Sequence, residues 1–185
     1  MNKILSVILL LFLYLNVTAQ TKSINIYQSK VSWIGKKITG QHEGTINLKE
    51  GTLLFKNNTI VGGNFVVDMT TICNTDQTGK DKIKLEGHLK SSDFFNVSNF
   101  KTSKLVFKSI SKKKNNSYAI KADLTIKGVT NQVFFNLIVK NKTASTKLII
   151  DRTKYDIQYS TGSFFDDLGD QTIYDEFDLN VVLYF

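Results

Sequence analysis

Two stretches that alternate apolar and polar residues with period two, joined by the turn Lys127-Gly128-Val129-Thr130, constrain this chain most. Ile120, Ala122, Leu124 and Ile126 fall on one face of the first stretch, with Lys121, Asp123, Thr125 and Lys127 on the other. Val133, Phe135, Leu137 and Val139 share a face of the second. Side chains along a strand point to opposite sides in turn, so each stretch describes a strand with one apolar and one solvated face. A sheet made this way must bury its apolar side against itself or against a second layer.

The same pattern recurs along the rest of the chain and predicts further strands at 31–38, 44–55, 60–69, 104–110, 146–155 and 174–185. Trp33 and Val31 share one side of the first of these, and Leu105 and Phe107 lie opposite Lys104, Val106 and Lys108. In 60–69, Val61, Phe65, Val67 and Met69 are in phase, and Gly62-Gly63 marks a bulge or tight bend. In the final run Phe177, Leu179, Val181, Leu183 and Phe185 form an unbroken apolar face. Residues 81–90 do not alternate and predict a short helix or ordered loop across one end of the sheet. Short strands at regular spacing with polar turns argue for an all-β antiparallel sandwich or barrel, and eight strands closed as an eight-stranded antiparallel barrel give an interior that fills with side chains or holds one modest ligand.

Residues 1–19 stand apart from that pattern. Lys3 precedes an apolar run from Ile4 to Leu15, and Val17-Thr18-Ala19 supplies small residues before Gln20. This is the form of a secretory signal cut after Ala19, shorter than a comfortable membrane span; an uncleaved anchor is the alternative. The expectation is an exported protein, periplasmic or secreted, with a single domain over 20–185. Cys73 is the one cysteine, so no internal disulfide forms, and the thiol reads as buried and structural.

Of the 24 basic residues only Arg152 is an arginine, and the formal charge is +8. Lysines disperse over solvated surfaces and favour anionic ones such as lipid headgroups, whereas arginine offers a planar fork for carboxylates and phosphates. No basic stripe interleaved with aromatics suggests nucleic acid. The run Lys112-Lys113-Lys114-Asn115-Asn116-Ser117 reads as a solvated hairpin tip.

Several segments resemble the YceI-like family. They are Gly87-His88-Leu89-Lys90-Ser91-Ser92-Asp93-Phe94-Phe95, Leu124-Thr125-Ile126-Lys127-Gly128-Val129-Thr130, and Trp33-Ile34-Gly35-Lys36-Lys37 with Gly40-Gln41-His42-Glu43-Gly44. Gly63-Asn64-Phe65-Val66-Val67-Asp68-Met69, Ile150-Asp151-Arg152-Thr153-Lys154-Tyr155 and Phe164-Phe165-Asp166-Asp167-Leu168-Gly169-Asp170 extend the likeness in order along the chain. It departs where the family often has proline after Phe95, since this chain reads Asn99-Phe100-Lys101. The resemblance implies an exported lipocalin-like barrel that binds polyisoprenoid or related lipids in an elongated apolar cavity, without catalysis. It also makes a homodimer plausible.

The candidate cavity lining is Trp33, Phe65, Val67, Phe94, Phe95, Leu105, Phe107, Leu124, Phe135, Leu137, Phe177 and Leu179. Apolar pockets with a few placed polar groups are the usual form of a small-molecule site, although the same rings also serve as core packing. If Leu148 and Ile150 point inward, period two carries Arg152 inward too, where it could hold a diphosphate or carboxylate headgroup with Lys154 assisting on the same face. The alternative for Arg152 is an ion pair with Asp123, Asp151 or Glu176.

His42 and His88 lack metal-ligand spacing, and His88 reads instead as a helix cap or a donor to a backbone carbonyl. The acidic stretch from Asp166 to Asp178 does not match a calcium loop. No metal or catalytic site is expected. The non-covalent lipid is the only ligand implied. Two other readings are an outer-membrane barrel, for which a terminal alternating strand ending in phenylalanine also speaks, and an interaction module with a filled core.

Overall fold

A computed structural model describes residues 19–163, 169 and 172–185. Residues 1–18, which carry most of the expected signal, lie outside it, as does most of the Phe164-to-Asp170 segment. The strands are β1 (Gln20–Ser23), β2 (Lys30–Lys37), β3 (Gly40–Lys56), β4 (Thr59–Asn74), β5 (Thr102–Lys112), β6 (Ser117–Ile126), β7 (Val129–Lys140), β8 (Thr143–Asp151) and β9 (Ile173–Tyr184). One helix, α1 (Gly79–Lys90), follows β4, and a 3-10 turn (Arg152–Tyr155) follows β8. Neighbouring strands pair antiparallel from β2 round to β9, β9 pairs with β2, and the β3–β4 pairing completes a closed eight-stranded barrel. The short β1 adds to β3 beyond the end of β2.

Turn chemistry sets the hairpins. The β3–β4 turn is Asn57-Asn58, both at positive φ, and the β6–β7 turn is Lys127-Gly128, also both positive. Two-residue turns of this kind match strand twist and favour Asn and Gly. Val129 and Thr130, expected in the turn, already belong to β7.

The apolar face is the inner one. Tyr118, Ile120, Ala122, Leu124 and Ile126 of β6 are all buried, while Lys104 and Lys108 of β5 are exposed. An outer-membrane barrel carries its apolar face outward, the opposite of this orientation. The terminal phenylalanine has an inward use: Phe185 packs on Phe55 with ring centroids 5.4 Å apart, and the Lys22 ammonium lies over both rings.

Bulges shift the phase of several strands, as three of them show. The β3–β4 register slips beside Leu54/Phe55, so Ile60 is buried and Val61 is 48% exposed, the reverse of the expected phase. The kink therefore sits one residue before Gly62-Gly63. A second slip lies between Phe107 and Ser109, and a third separates the Asn47–Asp68 and Thr45–Cys73 pairs. Cys73 is half-buried rather than buried, its Sγ 3.5 Å from the Lys82 ammonium.

Candidate functional site

Two opposed rows of rings cross the barrel. Phe65, Phe107 and Phe135 pack in sequence at 5.5 and 5.9 Å, and Phe94, Phe95 and Phe177 at 5.1 and 6.4 Å. β4, β5, β7 and β9 deliver the first, second, third and last of these positions. The segment after α1 folds Phe94 and Phe95 over the end of the barrel where α1 lies. There Phe95 N donates to Leu89 O at 3.1 Å and Val97 N to Lys90 O at 3.0 Å. Glycines let the larger rings lie close to the wall. Trp33 faces Gly44 across the β2–β3 ladder, and a Cβ on Gly44 would fall 2.5 Å from its indole. Phe107 lies against Gly63 in the same manner.

Between the rings is an apolar cavity of about 190 Å³. All twelve expected lining residues border it: Trp33, Phe65, Val67, Phe94, Phe95, Leu105, Phe107, Leu124, Phe135, Leu137, Phe177 and Leu179. The alternation of the sequence brings them together. Met69, Leu148 and Leu183 border it as well, in phases that the sequence pattern supplied, whereas Ile72 and Leu89, which also border it, lie outside the alternating stretches.

Arg152 also borders the cavity and is buried. It is not on a strand. β8 stops at Asp151, whose carboxylate accepts from Thr153 N at 3.0 Å and starts the 3-10 turn. The guanidinium donates to three backbone carbonyls: Nε to Tyr174 O at 3.1 Å, Nη1 to Ile157 O at 2.9 Å and Nη2 to Ile173 O at 2.9 Å. Asp175 is 4.0 Å from Nη2, and the Phe94 ring lies under the guanidinium at 5.6 Å. Burial lowers the Arg152 pKa from its ordinary value, and Asp175 and Asp151 pull it back. Three of five N–H donors are thus held by the chain itself. Of the ion-pair partners weighed from sequence, Asp151 contributes only at longer range and neither Asp123 nor Glu176 is the partner.

Lys154 does not share the face of Arg152. Its ammonium is 3.5 Å from Asp151 and its side chain is 65% exposed, because the 3-10 turn ends the period-two geometry on which its inward placement rested. His88 is enclosed by Phe94 and Tyr159, and its Nε2 has no hydrogen-bond partner among the described residues. The carbonyl of His88, not its ring, takes part in ending α1, accepting from Ser91 N at 3.1 Å.

Sequence reasoning missed two polar assemblies. Asp178, 6% exposed on the outside of β9, pairs with Lys36 of β2 at 3.2 Å and Lys147 of β8 at 3.1 Å, clasping three strands. Burial raises its pKa, but the two lysines outweigh that and hold it below the ordinary value. Asn74, fully buried, receives Gln77 N at its side-chain oxygen (3.0 Å), donates to Glu43 O (3.0 Å) and to Asp76, and gives its backbone N–H to Glu86 (2.8 Å). That network fastens α1 to the barrel end.

Comparison with known proteins gives the same architecture. The YceI-like domain profile matches residues 18–185. A UPF0312 protein of Staphylococcus aureus strain USA300 is 36% identical over 86 residues, 40% of this chain and 47% of that protein. The chain thus spans about half the length of the curated relatives it matches. Among solved structures, BcnA of Burkholderia cenocepacia superposes with a TM-score of 0.71 at 19% identity, covering 86% of this chain and 98% of that one. A polyisoprenoid-binding domain from Saccharophagus degradans, implicated in plant cell wall breakdown, superposes at 0.62 with 14% identity, covering 88% and 95%.

Proposed function

This chain belongs to the YceI-like domain family, and from that membership we propose that it is an exported, non-catalytic carrier holding an apolar lipid of the polyisoprenoid class inside its barrel. The cavity carries the reading. Protein interiors contain few voids larger than a water molecule. An unfilled apolar space of about 190 Å³ forgoes the packing contacts that a well-filled core would make. A filled-core interaction module has no reason to bear that cost. A ligand that removes each methylene from water recovers about 0.8 kcal/mol.

The twelve lining side chains are the proposed ligand bed. Arg152, with two N–H donors beyond those given to carbonyls, is the proposed neighbour of a polar end group. The ligand class is supported by what the Saccharophagus domain is described as binding. Export through residues 1–19, contact with an anionic membrane surface and a homodimer belong to the same proposal.

The test is organic extraction of the protein purified from its own host, with mass spectrometry of the extract and titration with pyrene-labelled farnesol. A stoichiometric isoprenoid, or saturable uptake of the probe, is the expected result. Protein that yields no lipid and takes up no probe overturns the reading.

A further inference from the structure

The barrel wall is not laced evenly. β6 and β7 pair over their whole length, from Ser117–Ile138 to Ile126–Val129, and β8 pairs with β9 from Thr143–Tyr184 to Asp151–Glu176. Between β7 and β8 the ladder holds only three pairs: Ile138–Ser145, Val139–Ala144 and Lys140–Thr143. Beyond them Gln132–Leu137 and Thr146–Asp151 run without pairing, until the Asn131 side chain donates to Lys154 O at 2.7 Å. The result is a slot closed at both ends and roughly 20 Å long at 3.3 Å per residue.

Closed barrels remove strand edges, so an unpaired stretch inside the wall leaves two rows of backbone groups that a ladder would satisfy. Continuing the existing register would place Phe134 opposite Ile149 and Phe135 opposite Leu148. The floor of the slot is made by side chains alone, among them Phe135, Leu137 and Leu148, which also border the cavity. Rotamer changes, not the breaking of a hydrogen-bonded ladder, are what stand between cavity and exterior there.

Three large apolar residues stand on the outer rim, among Gln132, Asn136, Lys147 and Asp151. Phe134 is 72% exposed, Ile149 59% and Ile138 52%. Lysines flank these residues. Lys121 pairs with Phe134 across the β6–β7 ladder, its ammonium 6.0 Å from the ring, and Lys140 follows two residues after Ile138. Neither lysine has an ion-pair partner among the described residues. Ile149 lies across the ladder from Asp178, whose carboxylate Lys36 and Lys147 match, so the two unpaired ammonium groups beside Phe134 and Ile138 are what suit an anionic lipid surface, where apolar side chains insert and ammonium groups meet headgroups.

Size gives the slot a task. An apolar cavity of about 150 Å³ takes a benzene ring, so 190 Å³ admits about one or two isoprene units. A longer chain requires the wall to part. We propose that the β7–β8 slot is the lateral portal and expansion joint through which an apolar chain passes between barrel and membrane, with Phe134, Ile138 and Ile149 seated in an anionic bilayer. This rests on the lipid-binding reading above.

A disulfide between Asn136→Cys and Lys147→Cys, in a Cys73→Ser background, locks the slot. Uptake of pyrene-labelled farnesol should slow at least tenfold in the oxidised protein, reach the same final occupancy, and recover on reduction. Uptake at equal rates in both forms overturns the portal while leaving lipid binding intact. Absence of uptake in every form, the parent included, overturns the lipid-binding reading and the portal with it. A second arm needs no disulfide. The parent should co-sediment with phosphatidylglycerol vesicles and not with phosphatidylcholine vesicles, and Phe134→Ser with Ile149→Ser should weaken this at least tenfold. Equal sedimentation of parent and variant, or retention only by membranes that still carry their proteins, overturns the lipid surface as occupant.

Discussion

Arg152 donates through Nη2 to the carbonyl oxygen of Ile173 at 2.9 Å, joining the turn after β8 to the first residue of β9. With the bonds to Ile157 and Tyr174, one buried side chain ties the loop after the turn to the start of β9 at one end of the barrel. Lysine cannot span that fork, because its single ammonium lacks the planar spread of donors. Arg152→Lys should therefore leave buried carbonyls unmatched and cost about 2–4 kcal/mol. In a chain of this size each kcal/mol lowers the thermal midpoint by about 2–4 °C. Lys113→Ala, at an exposed hairpin tip, should change stability by less than about 0.5 kcal/mol. Equal midpoints for the two variants would remove Arg152 from this structural role.

Two glycines of neighbouring strands make a paired test of close packing. A Cβ on Gly44 would lie 1.9 Å from the Cys73 carbonyl oxygen and 2.5 Å from the Trp33 ring, whereas one on Gly35 meets nothing within 4 Å. Gly44→Ala must move backbone or indole and should cost about 3 kcal/mol, the upper range for overpacking. Gly35→Ala should be neutral or slightly stabilising, since it restricts the unfolded chain. Denaturation midpoints and tryptophan fluorescence, read together, report both the cost and the displacement of Trp33.

How far this molecule could be read before folding follows from what period two encodes. Alternation assigns faces, so the eight barrel strands and the inward ring positions were legible from residues such as Ile120 to Ile126. Gly62-Gly63 marked a bulge but not which residue is the extra one, which is why Val61 was placed inside and Ile60 was not. Arg152 was placed inward by a strand rule, and it does face inward, but from a 3-10 turn. Asp151 followed by Thr153 was the available signal for that turn, since a short acidic side chain can accept from the N–H two residues on. Lys154 was misplaced for the same reason. Cavity volume was out of reach, because patterning says which side chains meet and not whether their volumes fill the space. The β7–β8 slot was equally hidden, as both strands carry the alternation of a paired ladder.

The Asp178 clasp predicts an acid-sensitive component of stability. Its pKa is depressed in the folded state, because the Lys147 and Lys36 ammonium groups outweigh burial. A depressed carboxylate stabilises fully above its unfolded value, here near 3.8, and the stabilisation fades as pH falls through the folded value. Asp178→Asn keeps the shape and removes the charge. Thermal midpoints of parent and variant should therefore differ most at neutral pH and converge as the pH falls through the folded-state value of Asp178. A gap that stays constant throughout acid titration of the folded protein contradicts the clasp as an electrostatic device.

Filling the cavity separates ligand binding from fold. Val67 borders the cavity from β4 and is half-buried, so a larger side chain there can enter existing space rather than displace packed neighbours. Val67→Phe adds several carbon atoms. Occupying about 50 Å³ of void returns about 1 kcal/mol at 24 cal/mol per Å³, provided the ring finds an unstrained rotamer. The ligand-free variant should therefore unfold at or above the parent's midpoint, while its affinity for pyrene-labelled farnesol falls at least tenfold. The opposing signs distinguish this from general damage, in which stability and binding decline together. Undiminished affinity in a folded Val67→Phe protein would place the bound chain outside the space between the two rows of rings.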